Sequence, residues 1–346
     1  MKTLCQAPAK ILLSGEHAVV YGSPGLSMAV NLMTLCQVSF CPQDPPFIEI
    51  ELVDYQQKHA FPFPLWKKLA INIESRFHLY QQEVGSINTV LQHPIDLILV
   101  IMDHFHHAYR LKQGHWSIKI QSHPYPSRGL GSSAAVILSL LKSLVTHQSL
   151  NISNTDLLAL AKTIESRQHG RSSGIDPTSI LHGGLLRFQH HRPVLPLETH
   201  GFKGWLIDTG VAHTSTGQAV EAVAKKFKHN HPIWQKFTDV TNRIQTACET
   251  ENGEALRKSI AENHTLLCEI GVIPQKVINF IAQLNKLPCT SAKVCGAGAV
   301  AGQAAGMVLC ISPQAPQAIC ETYGYHFMPL EISSQGVFCH ILESDL

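Results

Sequence analysis

The strongest constraint on this chain lies at residues 122–135, Ser-His-Pro-Tyr-Pro-Ser-Arg-Gly-Leu-Gly-Ser-Ser-Ala-Ala, where a proline-delimited loop turns glycine-rich and runs straight into an apolar segment. Gly129 and Gly131 let backbone N–H groups converge. The open N–H groups and positive dipole end of a following helix favour phosphate. Residues 116–121 read as the preceding strand, and residues 136–146, apolar nearly all round, read as a buried helix. The layout predicts an anion cradle for a nucleotide.

Three phosphate loops compete for the segment. A Walker loop requires a lysine before its Ser/Thr, and none precedes Ser132 or Ser133. Gly129, Gly131 and Ala134 fit the dinucleotide fingerprint by letter, but Pro124 and Pro126 separate the glycines from the strand, where that fingerprint needs a tight turn. The third option, Pro-x-x-x-Gly-Leu-Gly-Ser-Ser-Ala, looks like the central motif of the GHMP small-molecule kinases. A plain glycine-containing helix cap is the alternative without function.

Two further segments extend the resemblance. Ala7-Pro8-Ala9-Lys10-Ile11-Leu12-Leu13-Ser14-Gly15-Glu16-His17-Ala18-Val19-Val20-Tyr21-Gly22 resembles the first motif of that superfamily, in a form close to the mevalonate kinases. Glu165-Ser166-Arg167-Gln168-His169-Gly170-Arg171-Ser172-Ser173-Gly174-Ile175-Asp176 resembles the stretch in which that family carries its metal carboxylate and catalytic aspartate. The matches occur in the family's order and spacing and span most of the chain.

The resemblance implies an α+β, two-domain GHMP kinase fold. Residues 1–195 would form an ATP-binding, ribosomal-protein-like domain and residues 196–346 a ferredoxin-like one, with the site in the cleft between them. It implies ATP and mevalonate as substrates, Mg²⁺ as cofactor and 5-phosphomevalonate as product. The other outcomes are a phosphomevalonate, homoserine or sugar kinase of the same superfamily, or a non-catalytic relative.

Composition agrees. With 346 residues, 45% of them hydrophobic, the chain can bury a large core. A net charge of +2 and only 7% aromatic residues, with Lys and Arg scattered, argue against nucleic acid. The early apolar run 11–13 breaks at once into Ser-Gly-Glu-His, so no signal peptide is expected, and the longest apolar stretch, 97–102, is far short of a membrane span. None of the ten cysteines forms a C-x-x-C pair, so free thiols in a reducing cytoplasm are expected. His104 and His107 could share a helix face and chelate a metal, although a solvated surface is the simpler reading. Oligomeric state is not readable from the residues, and a homodimer is left open.

Strands are expected at 11–13, 34–40, 47–53, 116–121, 185–188, 204–208, 305–311 and 336–342. Helices are expected at 66–84, 95–109, 136–146, 218–228 and 232–252, with a further one opened by Ser153 and closed at Gly170.

Phosphoryl transfer needs neutralised phosphates, a held metal, and a hydroxyl placed in line and deprotonated. The resemblance implies that Ser122, Ser127, Arg128, Gly129, Leu130, Gly131, Ser132 and Ser133 cradle ATP, and that Ser133 and Glu165 hold Mg²⁺. Glu165 falls in the last turn of its helix, where a carboxylate opposes the dipole by about 0.3–1 kcal/mol unless a cation offsets it. Asp176 would take the hydroxyl proton and Lys10 would stabilise the alkoxide. As a structural alternative, Asp176-Pro177 suits the start of a helix. Glu16, His17, Thr216 and Gly298 would face mevalonate, and Arg187 and His213 are candidates for its carboxylate. Thr216 otherwise serves as an N-cap.

The sequence departs from the family twice. Ser172 replaces a usual proline, and the third glycine motif reads Gly296-Ala297-Gly298-Ala299-Val300-Ala301-Gly302, with three non-glycine residues where the family has glycine. A working loop should hold Ala299, Val300 and Ala301 at negative φ, in the first turn of a helix.

Overall fold

The computed structural model describes residues 1–122, 128–170, 172–198 and 201–342. Its strands and helices run β1 (Lys2–Ser14), β2 (Gly25–Cys41), β3 (Phe47–Leu52), β4 (Gln57–Pro62), α1 (Phe63–Gln81), α2 (Pro94–Tyr109), β5 (His115–Ser122), α3 (Ser132–Gln148), α4 (Asn154–His169), α5 (Ile175–His182), β6 (Leu185–Phe188) and β7 (Leu195–Leu197). They continue as β8 (Gly204–Asp208), α6 (Thr216–Lys226), α7 (Ile233–Glu249), α8 (Gly253–Glu269), α9 (Gln275–Leu284), β9 (Ser291–Val294), β10 (Met307–Ile311), α10 (Gln317–Tyr323), β11 (His326–Pro329) and β12 (Phe338–Leu342).

The first sheet has the order β12-β1-β2-β5-β3-β4, with β6 on the near half of β2 and β7 beside β6. Among the described strands, only β3 and β5 pair in parallel. The second sheet, β11-β8-β10-β9, is antiparallel throughout. Its order, with α6 to α9 between β8 and β9 and α10 between β10 and β11, is the ferredoxin-like arrangement expected. The fold is α+β.

Burial explains the elements. The first residues of β1 alternate in and out, but from Pro8 onward every residue is buried, because both faces are covered there. Pro8 can sit inside a strand because the register with β2 shifts between Pro8 and Ala9. The apolar segment after the glycine loop forms α3, with Ala134, Ile137, Leu138, Leu141 and Leu144 all buried against β1 and β2. Toward α8 and β1, α7 presents Trp234, Phe237, Val240, Ile244 and Ala247 at helical spacing, while α8 packs on β9 of the second sheet. Their core also takes Ile11 and Leu13 of β1, so the two sheets share apolar packing. Truncating fully buried Phe237 to Ala would cost about 3–5 kcal/mol.

Three expectations are corrected here. Cys5 and Cys339 face each other in register on β1 and β12 and form a disulfide, while the other eight cysteines are free. His104 and His107 turn to different carboxylates instead of a shared site: His104 lies 3.1 Å from Glu74 and His107 3.3 Å from Asp103, and no cluster of three or more metal-ligating side chains occurs among the described residues. Residues 299–301 form no helical turn, although all three keep negative φ as expected. Among the described residues, no helix is long and apolar enough to cross a membrane.

Candidate active site

β1 delivers the first functional side chain. The Lys10 backbone N–H donates to the Leu130 carbonyl at 2.9 Å, docking the strand on the glycine loop. Its Nζ lies 3.0 Å from Asp176 Oδ1. Lys10 is 3% exposed and Asp176 24%, so the ammonium is enclosed while the carboxylate stays reachable from the cleft.

The glycine loop is pressed between two neighbours. A Cβ on Gly129 would sit 2.7 Å from the Cys295 carbonyl oxygen, and one on Gly131 would sit 3.0 Å from Lys10 Cγ. Both glycines also have positive φ. Gly131 is the N-cap of α3 and no side chain caps that end, so Ser132 and Ser133 enter the helix as its first residues instead of capping it. Ser122 is engaged within the first sheet: its N–H donates to Asp54 at 2.6 Å and its hydroxyl pairs with Thr34 at 2.8 Å. The Arg128 side chain meets Asp208 of β8 at 2.7 Å, and its carbonyl accepts from the Met307 N–H. Ser127 lies outside the described residues.

Ser153 caps α4 as expected, and the helix carries Glu165 to its last turn and ends at Gly170. Glu165 is 3% exposed. Burial first, and the nearby Asp176 charge second, push its carboxyl up to about 8. Ser172 donates a hydrogen bond to Glu165 Oε2. The family's proline could not do this, so the departure at 172 supplies a partner to the carboxylate. His169 puts Nε2 3.4 Å from Ser133 Oγ, and burial lowers its pKa, so the ring stays neutral at pH 7.

The capping alternatives fail at two positions. Gly174, at φ 85°, is the N-cap of α5, which places Asp176 inside the first turn with no cap bond. Pro177 follows within the same turn, where its missing N–H costs nothing. Ser215, not Thr216, caps α6, closing a capping box with Gln218. Thr216 is left exposed at the first helical position, and Gly217 packs against the His169 carbonyl.

The loop after β1 turns its polar groups inward. Glu16 pairs with Lys293 of β9 in an ion pair with no exposure on either side, and Lys293 also donates to the Leu12 carbonyl at 2.8 Å. Burial pushes the Glu16 carboxyl up, and Lys293 is the largest influence opposing this. His17, at φ 56°, places Nε2 2.9 Å from the Ala297 carbonyl. Gly298 has φ 65° and packs so closely that a Cβ would lie 2.1 Å from the Val272 carbonyl oxygen. Of the carboxylate candidates, Arg187 is bound to Asn242 and Gln245 of α7, and His213 packs on Gly302.

Lys293 is the residue the sequence reading missed. One lysine in a four-residue strand carries no signal of burial, since its partner lies 277 residues away.

The arrangement gathers a lysine–aspartate pair, a buried glutamate, a hydroxyl and an uncapped helix start, as a phosphotransferase requires. Residues 96–184 match the family described as GHMP kinases N terminal domain. The fold is shared with the mevalonate kinase of Methanococcus jannaschii (TM-score 0.75, 20% identity, 95% of this chain and 98% of that one). It is also shared with the L. major mevalonate kinase solved in complex with R-mevalonate (TM-score 0.70, 17% identity, 94% of each chain). The mevalonate kinase of Archaeoglobus fulgidus is 30% identical over 301 residues, covering 85% of this chain and 89% of the relative. This chain belongs to the mevalonate kinase family.

Proposed function

We propose that this chain transfers the terminal phosphoryl group of ATP to the primary hydroxyl of mevalonate, giving 5-phosphomevalonate for isoprenoid synthesis. The observation that carries the reading is the 3.0 Å Lys10–Asp176 pair beside an uncapped glycine loop in a chain of this family.

Residues 128–131 and the first N–H groups of α3 bind the phosphates of ATP. Ser133 and Glu165 would hold Mg²⁺. The donor set fits that ion: both are hard oxygen ligands, and a buried carboxylate raised to about 8 lacks a full cationic partner. When bound, the ion neutralises phosphate charge. Asp176 accepts the hydroxyl proton of the acceptor as its oxygen attacks, and Lys10 stabilises the negative charge developing on that oxygen. Glu16, His17, Thr216 and Gly298 belong to the acceptor side of this reading. The first 195 residues then carry the nucleotide, and the remainder closes the acceptor side. A cytoplasmic setting belongs to the same reading; the eight free cysteines favour it, and the Cys5–Cys339 bridge weighs against it.

A coupled ADP-release assay across mevalonate, phosphomevalonate, homoserine and galactose tests it. Mevalonate is expected to exceed the others in kcat/KM by at least about tenfold. Equal or better turnover of any other acceptor overturns the assignment.

A further inference from the structure

Lys293 lies in neither glycine motif, yet it is among the largest fully buried side chains in the protein. It ends the approach to the third glycine loop, two residues before Cys295, whose carbonyl oxygen faces Gly129. Its ammonium serves two partners on the β1 side, the Leu12 carbonyl and the Glu16 carboxylate. One residue on, His17 reaches the Ala297 carbonyl in the same third loop. Gly15, between these contacts, sits so close to Gly25 that a Cβ would lie 2.4 Å from its Cα. The segment after β1 is therefore bound at two successive side chains to the strand and loop that face the phosphate cradle.

A buried ion pair is poor evidence of stabilisation, because desolvating two charges offsets most of their attraction. Its firmer use is to fix one arrangement among several. Packed apolar side chains in the same volume would hold the layers together, but they would not specify the register of residues 15–17 against residues 295–298.

We infer that the Glu16–Lys293 pair is a positioning device that sets the acceptor loop, residues 15–17, against the third glycine loop. The inference rests on the mevalonate reading only for its kinetic arm. Lys293 touches neither substrate nor reacting atoms; it acts through Glu16 and, one residue on, through His17.

Two variants and two measurements test the pair. In Lys293→Met, amide hydrogen exchange at residues 14–22 and 295–300 is expected to rise by about tenfold or more, with α1 unchanged. Mevalonate KM is expected to rise by roughly tenfold, while kcat and the ATP KM change less than about threefold. The double variant Glu16→Gln/Lys293→Met removes both charges at nearly constant volume. It is expected to regain thermal stability but to keep the fast exchange and the raised KM. If the double variant returns exchange and KM to wild-type values, or if folded Lys293→Met never departs from them, the pair serves charge balance alone and the inference falls. Should Lys293→Met fail to fold, the same two readouts on the double variant decide between these outcomes. A wild-type enzyme inactive on mevalonate defeats the function reading instead, and the exchange arm still decides this one.

Discussion

The two walls of the cleft handle buried charge in opposite ways. On the α4–α5 wall, Glu165 is buried beside Asp176, where Ser172, Lys10 and Lys162 together fail to offset burial, and its carboxyl is driven upward. On the wall made by the β1 loop and the third glycine loop, Glu16 is just as deeply buried and its carboxyl is raised too, but it meets Lys293 within the protein, and the backbone contacts around it are tight. One wall is completed from within the chain. The other is left short of positive charge, as a surface awaiting a cation and phosphates should be. On the proposed reading the same residue type serves assembly in one place and chemistry in the other, and what separates them is whether the fold provides the counter-charge.

Altering the unbalanced wall should give the largest effect. Asp176→Asn is expected to lower kcat by about 10²–10⁴ while ATP affinity stays within a few-fold, measured by steady-state kinetics with both substrates varied. Wild-type kcat would leave Asp176 with no chemical part. Next in size, Glu165→Gln should raise the Mg²⁺ needed for half-maximal rate by about 10–100-fold, with partial rescue by added metal.

The wild-type carboxyl also predicts a pH dependence. Its folded pKa is raised, so the metal-free protein is favoured below the ordinary glutamate range and loses that contribution as pH rises toward about 8. Metal binding needs the deprotonated form, so apparent Mg²⁺ affinity should strengthen by up to about tenfold per pH unit from pH 6 to 8 and then level off. Isothermal titration at three pH values checks this, and Glu165→Gln should abolish the slope.

The balanced wall should respond to shape rather than to charge. Gly298→Val, which forces a Cβ onto the Val272 carbonyl at positive φ, is expected to cost at least about tenfold in kcat/KM. Val300→Gly is the mildest case. Val300 is 41% exposed, its φ is negative, and its N–H already bonds Thr214, so kcat/KM should move less than about threefold. A gain of orders of magnitude would mean that the natural loop is impaired and would favour a binding protein over an enzyme.

What could be read in the sequence divides along the same line. Lys10, the glycine loop, Glu165 and Asp176 stand in contiguous motifs, and α3 follows from an unbroken apolar run, so all of these were visible. The balanced wall was visible only in part: Glu16, His17 and Gly298 stand in motifs, but the residue that completes it does not. Lys293 interrupts an apolar strand, and its pairing with Glu16 joins residues that no local pattern connects. The same blindness hid Cys5–Cys339, and β4, an edge strand with Lys58 and Ala60 exposed, went unassigned. Helix starts misled for a different reason: Asp and Thr are good caps by type, but Gly174 and Ser215, a residue or two earlier, hold those places. Propensity names candidates, and only the path of the backbone selects among them.

β12 has a consequence for how the protein is made. Among the described strands it is synthesised after all the others, and it lies beside the first, along residues 2–6 of β1. Until it arrives, the outer edge of β1 offers unpaired N–H and C=O groups to any passing strand, including that of another nascent chain. Synthesis therefore proceeds with one flank of the first sheet uncovered until β12 docks. Chaperone demand in the cell should accordingly be set by the delay before residues 338–342 reach residues 2–6.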